Sequence, residues 1–351
     1  MPLRCVLAAL IAVSIPVSTA WSQGTRLRHD TGPHHETGSH EEPRPPQEIE
    51  DSPATGAGFE RRVSDDGMEI GIWYPASGPS SPQRLGLFMH DVVAASVPPQ
   101  GPHPLVVMSH GTGGDFTSHA DTAVALARAG FIVAALTQPG DNWRDASRAT
   151  RIEERPKTLS RLIDYMLGDW SGLTGIDRER IGAFGFSSGG FTVLAAAGGR
   201  PDLTRVAEHC AAHPALFDCS LIQAKPNTAI GTWPDLHDRR IKAIAVAAPA
   251  LGFTFDRAGA AAIRVPVQLW RADDDEILPA PFYADAVRAV LPVPPAFHGV
   301  PEAGHFDFLS PCAEPRVVPH ICASRRGFDR TAFHQRFNGE VVRFFRQALP
   351  R

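Results

Sequence analysis

The chain has 351 residues, 43% of them hydrophobic and 21% charged, with 34 Lys plus Arg against 38 Asp plus Glu. That is a globular composition, which excludes wholesale disorder and a fibrous architecture. A net charge of −4 without a basic excess points away from nucleic acid as a partner, and 31 glycines with 32 prolines indicate many loops.

Residues 1–22 read as an export signal: Arg4 gives the positive start, residues 6–17 the apolar stretch, and Ser18-Thr19-Ala20 or Ser22 the small residues for cleavage. The stretch is short and interrupted by Pro16, and no later segment approaches the ~20 apolar residues of a membrane span. The mature chain is therefore expected outside the cytoplasm, periplasmic or secreted. Cys5 precedes the apolar run, which argues against a lipid anchor there.

Residues 23–57 are polar and rich in Pro, Gly, Glu and His, without apolar periodicity, and read as a disordered linker. His29, His34, His35 and His40 suggest metal handling, but nothing in the segment preorganises them as ligands, so a solvated tether is expected. Residues 58–351 are expected to form one domain.

Beyond the signal lie four cysteines, Cys210, Cys219, Cys312 and Cys322. An even number in an exported chain favours disulfides, and of three pairings the close spacing favours Cys210–Cys219 and Cys312–Cys322. There is no Cys-x-x-Cys spacing to suggest zinc.

Short apolar runs at 105–109, 131–137, 181–186, 243–248 and 267–270 are bounded by Gly, Pro or charge, as buried parallel strands are. Helical patterns lie between or after them at 121–129, 158–167, 191–197 and 328–348, the last carrying Phe333, Phe337, Val341, Phe344 and Phe345 at core-facing spacing. Residues 59–75 suggest antiparallel edge strands. The alternation gives an α/β fold, a mostly parallel sheet with helices on both faces. Residues 200–240 break the alternation and are expected to be an insertion over the C-terminal edge of the sheet, where such folds bind ligands. Trp143 and Trp233 are the expected pocket residues.

The sharpest motif is Gly185-Phe186-Ser187-Ser188-Gly189, set between the run RIGAFGF and the helix-like GGFTVLAAA. A serine on a sharp strand-to-helix turn projects its hydroxyl above the sheet, and side chains at 185 and 189 would meet neighbouring backbone. The helix N-terminus supplies N–H groups and a positive dipole end where an oxyanion would form.

A serine nucleophile needs a base and the base an orienting acid, in the chain order Ser, Asp or Glu, His. After the run VQLW come Asp273-Asp274-Asp275-Glu276, of which Asp275 is preferred and Asp274 is next. His305, in Ala303-Gly304-His305-Phe306, is the base. The oxyanion donors are expected to be the N–H of Ser188 and of Thr112 in His110-Gly111-Thr112-Gly113-Gly114. A phosphate-binding loop would need Lys-Ser/Thr after those glycines, where Asp115 follows instead.

The segments HGTGG, GFSSGG, ADDDEILP and AGHFDFL together resemble the serine α/β-hydrolases. More narrowly they resemble exported proteins described as predicted dienelactone hydrolases, related to type II platelet-activating factor acetylhydrolases and bacterial cutinase-like polyesterases. The resemblance runs over about residues 58–350 and includes TQPGDNWRDASR and FDRTAFHQRFNGEVVRFFR. It implies an α/β-hydrolase fold and cleavage of a small-molecule, lipid or polymeric carboxylic ester by a Ser-His-Asp triad, with no cofactor. One departure matters: true dienelactone hydrolases use a cysteine nucleophile, and Ser187 stands here. The same triad serves amidases, thioesterases and phospholipase A-type acyl hydrolases, and a non-catalytic binding protein is the rival outside enzymes.

Overall fold

Strands buried on both faces, each flanked by a helix, assemble here into one sheet. The computed structural model describes residues 56–226 and 233–350. The chain divides into residues 1–50 and 51–351, and every described element belongs to the second unit. The signal segment, all but the end of the linker, and the four linker histidines lie outside the described residues.

The strands are β1 (Gly56–Val63), β2 (Glu69–Ala76), β3 (Ser80–Leu85), β4 (Phe88–Val93), β5 (His103–Ser109), β6 (Ile132–Leu136), β7 (Ile176–Phe186), β8 (Ile241–Ala247), β9 (Val267–Ala272) and β10 (Ala296–Val300). The helices are α1 (Ala120–Arg128), α2 (Glu154–Gly168), α3 (Ser188–Ala196), α4 (Arg205–Ala212), α5 (Phe217–Ala224), α6 (Ala284–Val290), α7 (Pro319–Cys322) and α8 (Arg330–Ala348). Eight strands form the main sheet in the order β1-β2-β6-β5-β7-β8-β9-β10. β1 pairs with β2 and β2 with β6 antiparallel; every pairing from β6 to β10 is parallel.

The two-residue period of the strands sorts their side chains between two cores. Leu105, Val107, Ile132, Ala134, Ile244 and Val246 point to one face, with Leu159, Leu162, Ile163 and Met166 of α2 and Phe191, Val193 and Leu194 of α3. Val106, Met108, Val133, Ala135, Phe184 and Phe186 point to the other, with α1 and the α8 stripe Phe333, Phe337, Val341 and Phe345. A Cβ at Gly182 would lie 2.6 Å from the Phe345 ring, so that glycine lets α8 approach the sheet. Asp329 caps α8, its carboxylate accepting from Ala332 N at 2.9 Å.

Some elements differ from the sequence expectation. β1 starts at Gly56, inside the segment read as linker, because Gly56 and Ala57 pair with Ala76 and Pro75. α2 starts four residues earlier than its apolar stripe suggests, and α3 starts at Ser188. The β3–β4 hairpin has no apolar signature in β3, which is largely exposed and pairs only with β4. β10, a five-residue strand at the sheet edge with only Val300 buried, is too short and too little buried to stand out in the sequence.

Two histidines are buried neutral in this framework. His90 Nδ1 accepts from Trp73 Nε1 at 3.1 Å, and burial lowers its pKa from 6.5 to about 4. His119 lies against Phe184 and Phe186, with ring centroids 5.0 and 5.3 Å away, and burial lowers its pKa to about 3. Both pKa values fall on folding, so the unfolded chain binds protons that the folded one refuses. Their stability contribution is complete above pH 6.5 and falls on acidification, until about pH 4 for His90 and about pH 3 for His119. Each loses about 1.4 kcal/mol per pH unit inside its window. Urea unfolding of wild type and His119→Leu between pH 7.5 and 4.5 should show the variant with the shallower slope by that amount. Parallel profiles would contradict this account.

Candidate active site

The residues singled out around Ser187 converge at the C-terminal ends of the parallel strands. Ser187 occupies the turn between β7 and α3 with φ 56° and ψ −120°, a backbone conformation costly for a side chain with a Cβ. The turn is held by Ser187 N donating to Ala247 O at 2.9 Å and by Ser187 O accepting from Ala250 N at 3.0 Å and Phe191 N at 3.1 Å. Its tightness explains the flanking glycines. A Cβ at Gly185 would lie 2.0 Å from Gly189 O, and one at Gly189 would lie 1.9 Å from Ser109 O. Backbone rather than a flexible side chain blocks both positions.

His305 opens a short 3-10 turn after β10, and Asp275 follows β9. Both are buried, and His305 Nδ1 donates to Asp275 Oδ2 at 2.8 Å. Asp275 Oδ1 accepts from Ile277 N at 3.0 Å and Leu278 N at 2.7 Å, which fixes the carboxylate. The neighbouring acids face elsewhere: Asp273 pairs with Arg271 and Asp274 with Arg325 at the surface. Glu276 accepts from His305 N at 3.3 Å. The His305 ring packs on Phe186, the residue before Ser187, with centroids 4.7 Å apart. Among the described residues, neither His305 Nε2 nor Ser187 Oγ is hydrogen-bonded. Such contacts often tighten only when substrate is bound.

Ser188 is the first residue of α3, so its amide has no acceptor within the helix. Thr112 faces it, the two hydroxyls 2.7 Å apart. The next two amides of that loop are already engaged, Gly113 N by Asp141 Oδ1 at 3.1 Å and Gly114 N by Gly111 O at 3.2 Å. Among the described residues, neither the Thr112 nor the Ser188 amide has a backbone acceptor.

No family model and no curated protein sequence matches the chain. Among solved structures it is similar to a ferulic acid esterase from Streptomyces cinnamoneus, with a TM-score of 0.57 and 18% sequence identity over 85% of this chain and 91% of that one. The chain has the α/β-hydrolase fold.

In this hydrolase fold a buried polar frame supports the loop carrying Thr112. Arg155 on α2 pairs with Asp141 Oδ2, donates to His110 O, and reaches Thr192 Oγ1 at 3.1 Å. His110 Nε2 accepts from Gln138 N at 2.9 Å, and Nδ1–H donates to Gly111 O at 2.6 Å, an arrangement that needs a neutral ring. Burial, and then the Arg155 charge, hold the His110 pKa well below the ordinary value. Burial also lowers the Arg155 pKa, opposed by Asp141. Sequence reading missed this pair. The available signal was Arg155 itself, which shares a helical face with Leu159, Leu162, Ile163 and Met166.

A second frame holds the His305 turn. Asp307 Oδ2 accepts from Gly304 N at 2.8 Å, Asp307 Oδ1 pairs with Arg330 Nη2 at 3.0 Å, and Arg330 donates to Ile321 O at 3.0 Å. Ile321 adjoins Cys322, which is bonded to Cys312. A second disulfide among the described residues, Cys210–Cys219, joins α4 to α5.

Helices α4 and α5 with their flanking loops wall a cavity of about 570 Å³ that Thr112 and Ser188 also line. Trp233 is part of its wall and packs edge-on against Phe191 at 5.7 Å. Trp143 is not: it is 66% exposed, with Arg144 5.2 Å from its ring. Its place in the loop after β6 turns it to solvent, a distinction that sequence position could not make. One group of metal-type side chains converges among the described residues, His209, Asp218 and Cys219, and the Cys219 sulfur is taken up in its disulfide. No described helix is long and apolar enough to cross a membrane.

Proposed function

We propose that the protein is an exported serine hydrolase that cleaves carboxylic esters through Ser187, His305 and Asp275. The observation that carries this reading is the strained Ser187 turn at the same sheet edge as the buried His305–Asp275 pair. In the first step His305 Nε2 takes the hydroxyl proton as Ser187 Oγ bonds to the ester carbonyl carbon, and Asp275 stabilises the imidazolium. The Thr112 and Ser188 amides receive the oxyanion, each contributing about 3 kcal/mol to transition-state binding. The bond to the alcohol oxygen then breaks, His305 returns the proton to that oxygen, and an acyl group remains on Ser187. Water repeats the sequence, releasing the carboxylic acid and restoring the serine.

Two disulfides accord with an oxidising compartment, and the apolar wall of the cavity accords with an ester bearing a sizeable organic group. Amide and thioester cleavage share the same triad. Covalent labelling of Ser187 by a fluorophosphonate separates all these hydrolases from a binding protein, and parallel assays on matched ester, thioester and amide substrates rank them.

Within this reading the Cys312–Cys322 bridge is a support for the base. Through Ile321, Arg330 and Asp307 it reaches the amide of Gly304 beside His305. Mild thiol reduction should therefore lower turnover before circular dichroism reports unfolding. Full turnover in protein shown to have lost this bridge would contradict that role.

A further inference from the structure

Thr112 and Ser188 each carry a hydroxyl on the residue whose amide would hold the oxyanion, and the two hydroxyl oxygens lie 2.7 Å apart. Both residues line the cavity. The loop that carries Thr112 rests on the nucleophile: a Cβ at Gly111 would lie 3.0 Å from Ser187 Cβ and 3.1 Å from the Phe186 ring. The hydroxyl pair therefore stands where the cavity meets the Ser187 turn.

Two hydroxyls carry two protons, and the bond between them uses one. Among the described residues neither hydroxyl has another partner. One O–H is left over and lacks an acceptor, which a buried polar group normally has. Ser188 is the more deeply buried of the two, at 6% exposed, and Thr112 is half-buried. Turning the Ser188 proton toward Thr112 satisfies the buried hydroxyl and leaves the Thr112 proton on the accessible side. A clamp between loop and helix is the other use for such a pair, but both partners are fixed without it. Arg155 donates to His110 O, Asp141 accepts from Gly113 N at 3.1 Å, and Gly114 N donates to Gly111 O at 3.2 Å. The start of α3 is held by the bonds of Ser187 N to Ala247 O and of Ala250 N to Ser187 O.

We propose that Thr112 is a catalytic residue through its side chain: Ser188 Oγ–H donates to Thr112 Oγ1, and Thr112 Oγ1–H donates to the oxyanion as a third donor beside the two amides. This role rests on the ester-hydrolase reading and deepens it. The carbonyl oxygen gains charge as Ser187 Oγ bonds to the carbon, so the bond from Thr112 strengthens in the transition state and acts on kcat rather than on ground-state binding. Donation from Ser188 polarises the Thr112 hydroxyl and makes it the better donor.

The test compares purified mature wild type with Thr112→Val, Thr112→Ser and Ser188→Ala on a p-nitrophenyl ester, with folding checked by circular dichroism. Thr112→Val keeps the amide and the side-chain shape, and should lower kcat about 100-fold with KM nearly unchanged. Thr112→Ser keeps a hydroxyl and should stay within about fivefold of wild type, and Ser188→Ala, which leaves the Thr112 donor unpolarised, should lose less than about tenfold. Affinity for a trifluoromethyl ketone, whose adduct with Ser187 carries an oxyanion, should fall in Thr112→Val by the same factor as kcat/KM. Should the valine variant not fold, Thr112→Ala is compared with Thr112→Ser in the same way. A loss in Ser188→Ala equal to or larger than that in Thr112→Val would mark a clamp. A loss confined to KM, no loss, or an unchanged ketone affinity would leave the oxyanion to the amides. Each of these overturns the side-chain role and leaves ester hydrolysis by Ser187 standing. No turnover of any ester by wild type would overturn the parent reading with it.

Discussion

Asp275→Asn should lower kcat on an ester substrate by about 10⁴-fold with little change in KM, while Asp274→Asn stays within about twofold of wild type. The contrast follows from what each carboxylate faces. Asp275 Oδ2 accepts from His305 Nδ1 in a buried contact, with Oδ1 pinned by Ile277 N and Leu278 N. An asparagine amide turned toward Nδ1 would favour the ring tautomer with its proton on Nε2, which cannot accept the Ser187 proton. The Asp274 carboxylate pairs with the exposed Arg325 side chain, a type of pair worth at most about 1 kcal/mol, and the substitution leaves the bond from Asp274 N to Ala303 O in place. Initial rates of the two variants over a range of substrate concentrations check this. Equal losses, or a larger loss for Asp274→Asn, would assign the acid differently.

Arg155→Met should destabilise the protein by about 3–5 kcal/mol, because it strands the Asp141 carboxylate in the interior. In a domain of this size that lowers the unfolding midpoint on the order of 10 °C. The same change releases His110 O and weakens the hold on the loop whose Gly113 N is bound by Asp141. Turnover should therefore drop even well below the unfolding temperature. Adding Asp141→Asn removes the stranded charge and should restore part of the stability, because Asn still accepts from Gly113 N. Calorimetry of the single and double variants measures both effects. An unchanged midpoint for Arg155→Met would show that the pair contributes nothing to the fold.

The parts of this molecule legible in its sequence are those governed by period and by local backbone need. Strands such as IVAAL and IKAIAVA are buried on both faces and read as apolar runs, and α8 shows its Phe333–Phe337–Val341–Phe345 stripe openly. The Ser187 turn is legible for the same reason. Gly185 and Gly189 are required by backbone atoms within about 2 Å of their would-be Cβ positions, so the motif records a local collision. Edge elements were harder, because the exposed β3 and the short, half-exposed β10 bury too little to impose a pattern.

The supports of the site were hidden because they join residues far apart in the chain. Asp141 with Arg155, Asp307 with Arg330, and Asp218 with Tyr283 are each set by tertiary packing. A run of three aspartates carries no mark of which one reaches His305. The difference lies in the path of the chain after β9, which buries Asp275 and leaves Asp274 facing Arg325. Trp143 and Trp233 looked alike as aromatic residues in irregular segments. Only Trp233 packs against the core, on Phe191.

The central claim is that Ser187 is the nucleophile of an ester hydrolase. The most direct test is hydrolysis of p-nitrophenyl esters from acetate to palmitate by the mature protein and by Ser187→Ala, with folding of both checked by circular dichroism. Wild type should turn the esters over and the variant should fall to background, with the chain-length optimum reporting the depth of the cavity. Ester turnover that survives in pure Ser187→Ala protein would contradict it.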